Sequence, residues 1–374
     1  MTFLNRLPKP FFVLAPMDDV TDTVFRQIVA DCAKPDLFMT EFVNVDGLQS
    51  PGRPKLLHKL AFSDGEKPLI AQIWGKQPQN FYKTTKELKK MGFAGVDINM
   101  GCPVKAVVKN GCCIALVNNR ELAEEIITAV KEAAIAGQSG VMQLDAGQGG
   151  NAERNESYKK VRRMSTVSLQ RRHAPESPDR VVGYADKQGR AVHESRDFPV
   201  SVKTRLGLKE VDLSWIEFLL HQKLNMLTIH GRTAKELSKT SANWEIFEEI
   251  RQLRDKISPA TLLVGNGDVV SLAQAKELAK KYKLDGIMIG RGIFDDPFIF
   301  SDTSPWSNYT KKQKIALYRQ HVELFVKTYK KGERKVNTLN KFCKVYINGF
   351  DGAKELREQL MSANSSDELL SILS

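Results

Sequence analysis

The sequence predicts a (β/α)8 TIM barrel followed by a small C-terminal all-α helical domain. Three observations predict it. Eight short apolar, β-branched runs recur between residues 11 and 292, each ending in glycine or polar residues. Helical periodicity fills most of the intervals between them. From about Trp306 onward only helical patterns remain. A doubly wound open sheet is the structural rival, but it does not require this repeated pattern of polar strand ends.

The runs are FFVLAPM (11–17), LFMTEFV (37–43), PLIAQIWG (68–75), GVDINMGC (95–102), PVSVKTRLG (199–207), MLTIHGR (226–232), TLLVGNGD (261–268) and GIMIGRG (286–292). ELAEEIITAVKEAA and WEIFEEIRQLRDKI carry apolar residues at three- and four-residue intervals, and SLAQAKELAKKY opens with a capping box of Ser271 and Gln274. Residues 138–197 break the rhythm. They are rich in Gly, Gln, Ser and Arg, lack periodicity, and read as a flexible insertion between the fourth helix and the fifth strand. That connection lies on the face of a barrel opposite its chemistry. Its basic clusters YKKVRR and QRR are read first as a solvated loop and second as an RNA contact. The expected domains are therefore a barrel over 1–305, with this insertion, and a helical domain over 306–374.

The chain has 374 residues, 42% hydrophobic and 27% charged, which are ordinary globular values, but its net charge is +12. Such an excess favours polyanionic partners, nucleic acid first. Five cysteines without regular spacing do not form a disulfide framework, and no apolar run is long enough to cross a bilayer. The start, MTFLNRLPKPFF, lacks the h-region of a signal peptide. A soluble, cytoplasmic monomer without a membrane or an obligatory protein partner is the expectation.

Barrel enzymes collect their sites at the C-terminal ends of the strands. Here those ends carry Met17, Glu41, Gln72, Asn99, Cys102, Lys203, Arg205, His230, Asn266, Asp268 and Arg291. GNGD and GRG follow the seventh and eighth strands, where barrels often bind phosphate through backbone N–H groups, with Arg291 to pair the charge. Lys203 within a strand is costly to bury without an anion. A reduced flavin is such an anion, and Gln72 offers the donor and acceptors that its uracil-like edge needs. The alternative is a Lys203 paired with a carboxylate such as Glu41.

The segments APMDDVTD (15–22), QIWG (72–75), DINMGCPVK (97–105), VKTRLG (202–207), HGRT (230–233), GNGD (265–268) and IGRG (289–292) occur in this order. Together they resemble the tRNA-dihydrouridine synthase family. KFCKVYINGFDGAKELR (341–357) resembles that family's tRNA-binding helical domain more weakly. The resemblance implies an FMN enzyme that reduces the C5–C6 bond of selected tRNA uridines, with NADPH as reductant. It implies flavin contacts from Pro16, Met17, Asp18 and Gln72, with Lys203 and His230 at the ring and ribityl region. Asn266, Gly267, Asp268, Gly290 and Arg291 would then take the phosphate end. Cys102 matches the catalytic acid, and Asn99 and Lys105 its neighbouring substrate contacts.

Hydride addition at uracil C6 leaves an enolate-like anion that must gain a proton at C5. A thiol with a pKa near about 8.5 is still protonated near neutrality and can supply it. The competing reading of Cys102 is a buried, inert thiol. Basic candidates for the tRNA are Lys105, Lys109, Arg205, Arg232, Lys341, Lys344 and Arg357, of which Lys341 and Arg357, together with Tyr346, match the C-terminal family pattern.

The chain departs from the family in NGCCIAL, where Cys112 and Cys113 replace a small-residue run, and in Asn340 and Phe342, where basic or His residues are common. No fourth ligand completes a zinc site with the three cysteines, so no metal is expected. Two other readings stay open: a flavin barrel acting on a free pyrimidine, and a tRNA-binding protein without turnover.

Overall fold

The computed structural model describes residues 2–136 and 197–374, together with the two-residue strands Tyr184–Ala185 and Ala191–Val192. Those two strands pair antiparallel, Tyr184 opposite Val192, within a separate unit of residues 137–196. The predicted insertion and its basic clusters otherwise lie outside the described residues.

Eight parallel strands close into a barrel: β1 (Phe11–Leu14), β2 (Leu37–Met39), β3 (Leu69–Trp74), β4 (Gly95–Met100), β5 (Val200–Arg205), β6 (Met226–His230), β7 (Leu262–Asn266) and β8 (Gly286–Ile289). Each pairs with its neighbour in chain order. Closure comes from β8 beside β1, with Phe11 opposite Gly286 and Leu14 opposite Ile289. The open-sheet rival is thereby excluded.

The strands begin where the apolar runs begin but stop earlier. In the second run the ladder breaks after Met39, where the Thr40 hydroxyl takes over, accepting the Gln72 N–H at 3.0 Å and donating to the Glu41 carbonyl at 2.7 Å. It resumes briefly at Val43–Asn44, which pairs with Ile73–Trp74. The remainder of each run forms the barrel mouth.

Around the barrel stand α1 (Thr23–Ala33), α2 (Pro78–Lys90), α3 (Arg120–Ile135), α4 (Leu213–His221), α5 (Ile246–Ile257) and α6 (Leu272–Tyr282). The second and eighth units lack a full helix and carry short turns instead, Val45–Leu48 and Arg291–Phe294 among them. The box expected at α6 is only half closed. Ser271 Oγ accepts from the Gln274 N–H, but the Gln274 side chain accepts from Val270 N–H at 2.8 Å. A reciprocal box forms instead at Thr310 and Gln313, ahead of α7 (Lys311–Thr328).

α7 is followed by α8 (Asn340–Tyr346), α9 (Ala353–Ser362) and α10 (Ser366–Ile372). These helices and the barrel belong to one compact unit. Phe25 of α1 is fully buried, 5.0 Å from the Phe342 ring and 6.0 Å from His321. Burying such a ring contributes about 1.5–3 kcal/mol. Among the described residues no helix is long and apolar enough to cross a membrane.

Side chains alternate along each strand, and those facing inward divide the barrel in two. Phe11, Val13, Leu37, Met39, Ile70, Met226, Leu262, Val264 and Met288 pack into one apolar cluster that Phe3 and Leu4 join from the N-terminal turn. In step with them, nearer the strand ends, stand Gln72, Asp97, Asn99, Ser201, Lys203, Arg205, Thr228, His230 and Asn266. The apolar cluster supports; the polar arc is the candidate site.

Candidate functional site

The polar arc is built from register. Gln72 of β3 is paired with Asp97 of β4, Asp97 with Ser201 of β5, and Asn99 with Lys203. Hydrogen bonds follow the same order. Ser201 Oγ donates to Asp97 Oδ1 at 2.6 Å, Gln72 Nε2 donates to Asp97 Oδ2 at 2.7 Å, and Asn99 Nδ2 donates to Gln72 Oε1 at 3.0 Å. Asn99 Oδ1 then accepts the backbone N–H groups of Gly101 and Cys102, both at 3.0 Å. Burial lifts the Asp97 carboxyl to about 6, against the pull of Ser201, Gln72 and Lys203.

Cys102 sits two residues beyond β4, on a turn held from both sides. Arg205 Nε donates to the Gly101 carbonyl at 3.0 Å, opposite the Asn99 contacts. A Cβ on Gly101 would stand 3.2 Å from the Thr204 backbone, so any larger residue would press on β5. The charges acting on the Cys102 thiol belong to mouth residues: Asp18 after β1, and Lys203 and Arg205 of β5. Its pKa is lowered to about 7, first by a hydrogen bond from the Cys113 thiol and then by the Val104 backbone and Arg205, with burial opposing. Cys113 is itself buried, its pKa pushed up by burial, and it holds a left-handed backbone with φ of 54°. The three cysteines pack together beside Phe42, Trp74 and Val107. The two extra thiols that the sequence placed in this loop thus pack directly around Cys102.

Lys203 is partly buried beside this turn. No hydrogen bond or ion pair reaches its ammonium from the described residues; Asp97 attracts it through space while burial and Arg205 lower its pKa to about 8. Across the register pair with Lys203, the buried Thr228 Oγ1 also lacks a partner. Glu41, the alternative partner for Lys203, is fully buried and engaged by Arg334 at 2.8 Å and by the Asp19 N–H at 2.6 Å. The amine is left for a ligand.

At the other side of the mouth, His230 Nε2 lies 3.3 Å from Arg232 Nη1, and because an arginine only donates, that nitrogen accepts and Nδ1 carries the proton. Burial and the cations Lys203, Arg205, Arg232 and Arg291 drive the His230 pKa far down, so the ring is neutral. Asp268 is held by Arg232 and by the Ala242 N–H at 2.9 Å, and it reaches Arg291 at 3.2 Å. Its carboxyl pKa is lowered by these contacts despite partial burial.

Gly267 has φ of 138°, and a Cβ on it would meet Ala242 at 2.6 Å and His230 at 3.4 Å. The backbone N–H groups of Gly267, Asp268, Gly290 and Arg291 donate to no acceptor among the described residues. Four open amides beside the exposed Arg291 fit a phosphate group. Asn266 Nδ2 donates to the Met288 carbonyl at 2.8 Å and ties β7 to β8 beneath them. An unpaired lysine and this cradle together fit the flavin that the sequence predicts, whereas Gln72 is fully buried behind them with both ends of its amide held, by Asp97 and by Asn99.

The remaining predicted residues divide. Pro16 and Met17 are partly buried in the loop after β1, Met17 fixed by Thr21 at 2.9 Å, and Asp18 is exposed and paired with Lys59. Lys105 and Lys109 are exposed on the short helix Lys105–Lys109 just past Cys102, free to meet a phosphate. Arg232 is not: it is 2% exposed and spends its guanidinium on Asp268, His230 and the Thr240 carbonyl at 2.7 Å. Arg205 likewise serves the Gly101, Thr233 and Leu237 carbonyls. Asn99 is a support of the turn, with both ends of its amide engaged.

In the helical segment Tyr346 is fully buried, stacked on Tyr318 at 5.3 Å and hydrogen-bonded to His321 at 2.9 Å, so it is a core residue and not a substrate contact. Arg357 donates to the Ile347 carbonyl at 2.6 Å beyond the end of α8. Lys341 is exposed but donates to the Asp19 carbonyl at 2.8 Å.

Sequence reasoning missed Asp97, the contact of Cys113 with Cys102, and Arg334. Asp97 shares the parity of Asn99 within one apolar strand, and that signal was available. Arg334 had none, because its partners Asp19, Asp22 and Glu41 are about 300 positions away in the chain. It is 7% exposed and joins the helical segment to the loop that carries Met17.

Comparison with known proteins adds two findings. The sequence profile of the family described as dihydrouridine synthase matches residues 13–136 and 184–374. A probable tRNA-dihydrouridine synthase of Staphylococcus aureus (strain COL) is 39% identical over 99% of this chain and 94% of its own length. A probable tRNA-dihydrouridine synthase 2 of Bacillus subtilis (strain 168) is 37% identical over 99% of this chain and 95% of its own.

Proposed function

The chain belongs to the dihydrouridine synthase family, and on that premise we propose that it reduces the C5–C6 double bond of selected uridines in tRNA, with FMN in the barrel mouth and NADPH as reductant. The observation that carries the reading is the pairing of a pinned thiol with an unpartnered lysine at one rim. Cys102 is fixed by Asn99 and Arg205, and Lys203 beside it awaits an anion.

Bound FMN, once reduced, supplies the hydride for uracil C6. The chain's own residues do the rest. Lys203 would balance negative charge on the ring, neutral His230 has Nδ1–H to donate toward the ribityl chain, and the buried Gln72 amide would hold Asn99 in place beneath them. The open amides at Gly267, Asp268, Gly290 and Arg291 take the phosphate, with the Arg291 guanidinium beside them. Pro16, Met17 and Asp18, in the loop after β1, would border the ring. Cys102 Sγ–H delivers the proton to C5, and a pKa near 7 suits a general acid working near neutrality.

A uridine in folded tRNA must leave its stack to enter this mouth. Lys105 and Lys109, exposed next to the acid, are placed to hold backbone phosphate while it does. The test is direct. FMN-loaded protein with NADPH and unmodified tRNA transcript should yield dihydrouridine by nucleoside mass spectrometry. NADPH oxidation with reduction of a free pyrimidine and none of tRNA overturns the reading in favour of a small-molecule reductase.

A further inference from the structure

Asp97 lies fully buried on β4, and nothing in the reaction so far requires a carboxylate there. An ionised carboxylate can only accept hydrogen bonds. Gln72 must therefore turn its Nε2 toward Asp97 and its Oε1 away. That Oε1 faces Asn99, which must answer with Nδ2, leaving Asn99 Oδ1 to face the turn and accept from both Gly101 and Cys102. Reversing any one amide sets donor against donor, or acceptor against acceptor, along the whole row. Ser201 anchors the far end by donating to the second oxygen of Asp97.

We propose that Asp97 is a positioning residue that sets the polarity of this hydrogen-bonded row, so that the buried Gln72 amide that floors the mouth and the turn that carries Cys102 are oriented together. The proposal rests on the function proposed above for its chemical meaning, but the row itself does not depend on it. The donors Ser201 and Gln72 and the nearby Lys203 favour the ionised carboxylate that the arrangement needs, against the desolvation that raises its pKa.

Asp97→Asn keeps an acceptor for Gln72 and can turn its amide nitrogen toward Ser201. Asp97→Leu keeps the forked shape, with bulkier methyl ends, and removes the acceptor. Two readouts need no turnover: FMN affinity of the apoprotein by fluorescence quenching, and the rate of Cys102 alkylation in the apoprotein by peptide mass spectrometry. The leucine variant should weaken FMN binding about tenfold, the scale of one or two lost hydrogen bonds, and change Cys102 alkylation about fivefold or more. The asparagine variant should stay within about threefold of wild type on both.

Unchanged alkylation in a folded leucine variant overturns the proposal, as does an asparagine variant as defective as the leucine one. If the leucine chain fails to fold, Asn99→Ala cuts the row at its next link, and FMN affinity that stays at the wild-type value overturns it. A wild-type protein that binds no FMN sinks the flavin reading alone, because the alkylation arm still decides whether Asp97 reaches the cysteine turn.

Discussion

The barrel mouth and the C-terminal helices spend their polar side chains in opposite ways. At the mouth, charged and polar groups lack protein partners among the described residues: the partly buried Lys203 ammonium, four backbone amides and, beneath them, the fully buried Thr228 hydroxyl. In the helical segment, groups of the same kinds are closed against the protein. Arg334 meets three carboxylates, the Tyr329 hydroxyl donates to Asp22 at 3.0 Å, Tyr346 meets His321, and Lys341 and Arg357 cap carbonyls. Unsatisfied buried polarity is costly, so it persists where a ligand can complete it. Satisfied polarity holds one element to another.

This contrast makes substitutions in the two regions separable. Removing Arg334 takes the cation from the buried Glu41 and Asp22, and breaking a buried ion-pair cluster costs about 3–5 kcal/mol. Arg334→Ala should lower the melting temperature more than any other change named here, and a near-wild-type melt would break the comparison. Lys203→Met should do the reverse, leaving the apoprotein at least as stable while FMN affinity falls about tenfold or more. A large loss of apoprotein stability would mean that Lys203 has a protein partner after all.

Tyr346→Phe leaves the buried His321 nitrogen without its hydroxyl and should cost about 1–3 kcal/mol by denaturant titration, with tRNA affinity unchanged. Weakened tRNA binding at wild-type stability would restore Tyr346 as a substrate contact.

A pH experiment sharpens the mouth side. Cys102 must be protonated to donate, and its pKa is lowered to about 7. The single-turnover rate of uridine reduction should therefore fall about tenfold per pH unit above neutrality. The Cys113 hydrogen bond favours the thiolate, so Cys113→Ala should raise the Cys102 pKa and move this limb upward. At pH about 8.5 the variant should then outrun wild type. A limb that stays in place removes Cys113 from the acid's environment.

The eight strands were legible because each is an apolar run that starts where its ladder starts. Their ends were not, since residues such as Thr40 and Glu41 continue the apolar-then-polar pattern after the ladder has stopped. The motif residues of the mouth were legible as a set, and Lys203, Asn266, Gly267, Asp268 and Arg291 do converge there. What each one touches was not, because Arg205 and Arg232 are basic residues at strand ends just as a phosphate ligand would be. Only their burial and carbonyl partners distinguish them. In the helices, the spacing of Tyr318, His321, Phe342 and Tyr346 encodes an aromatic core, and motif resemblance alone turned Tyr346 outward.

The central claim is that Cys102 gives the proton and does nothing else that turnover needs. Single-turnover reduction of tRNA by FMN-loaded, pre-reduced Cys102→Ala protein tests it most directly. The account predicts wild-type FMN binding and NADPH consumption, with dihydrouridine formation slowed by about 10²–10⁴, the usual contribution of a general acid. Dihydrouridine formed at the wild-type rate by the alanine variant would contradict it.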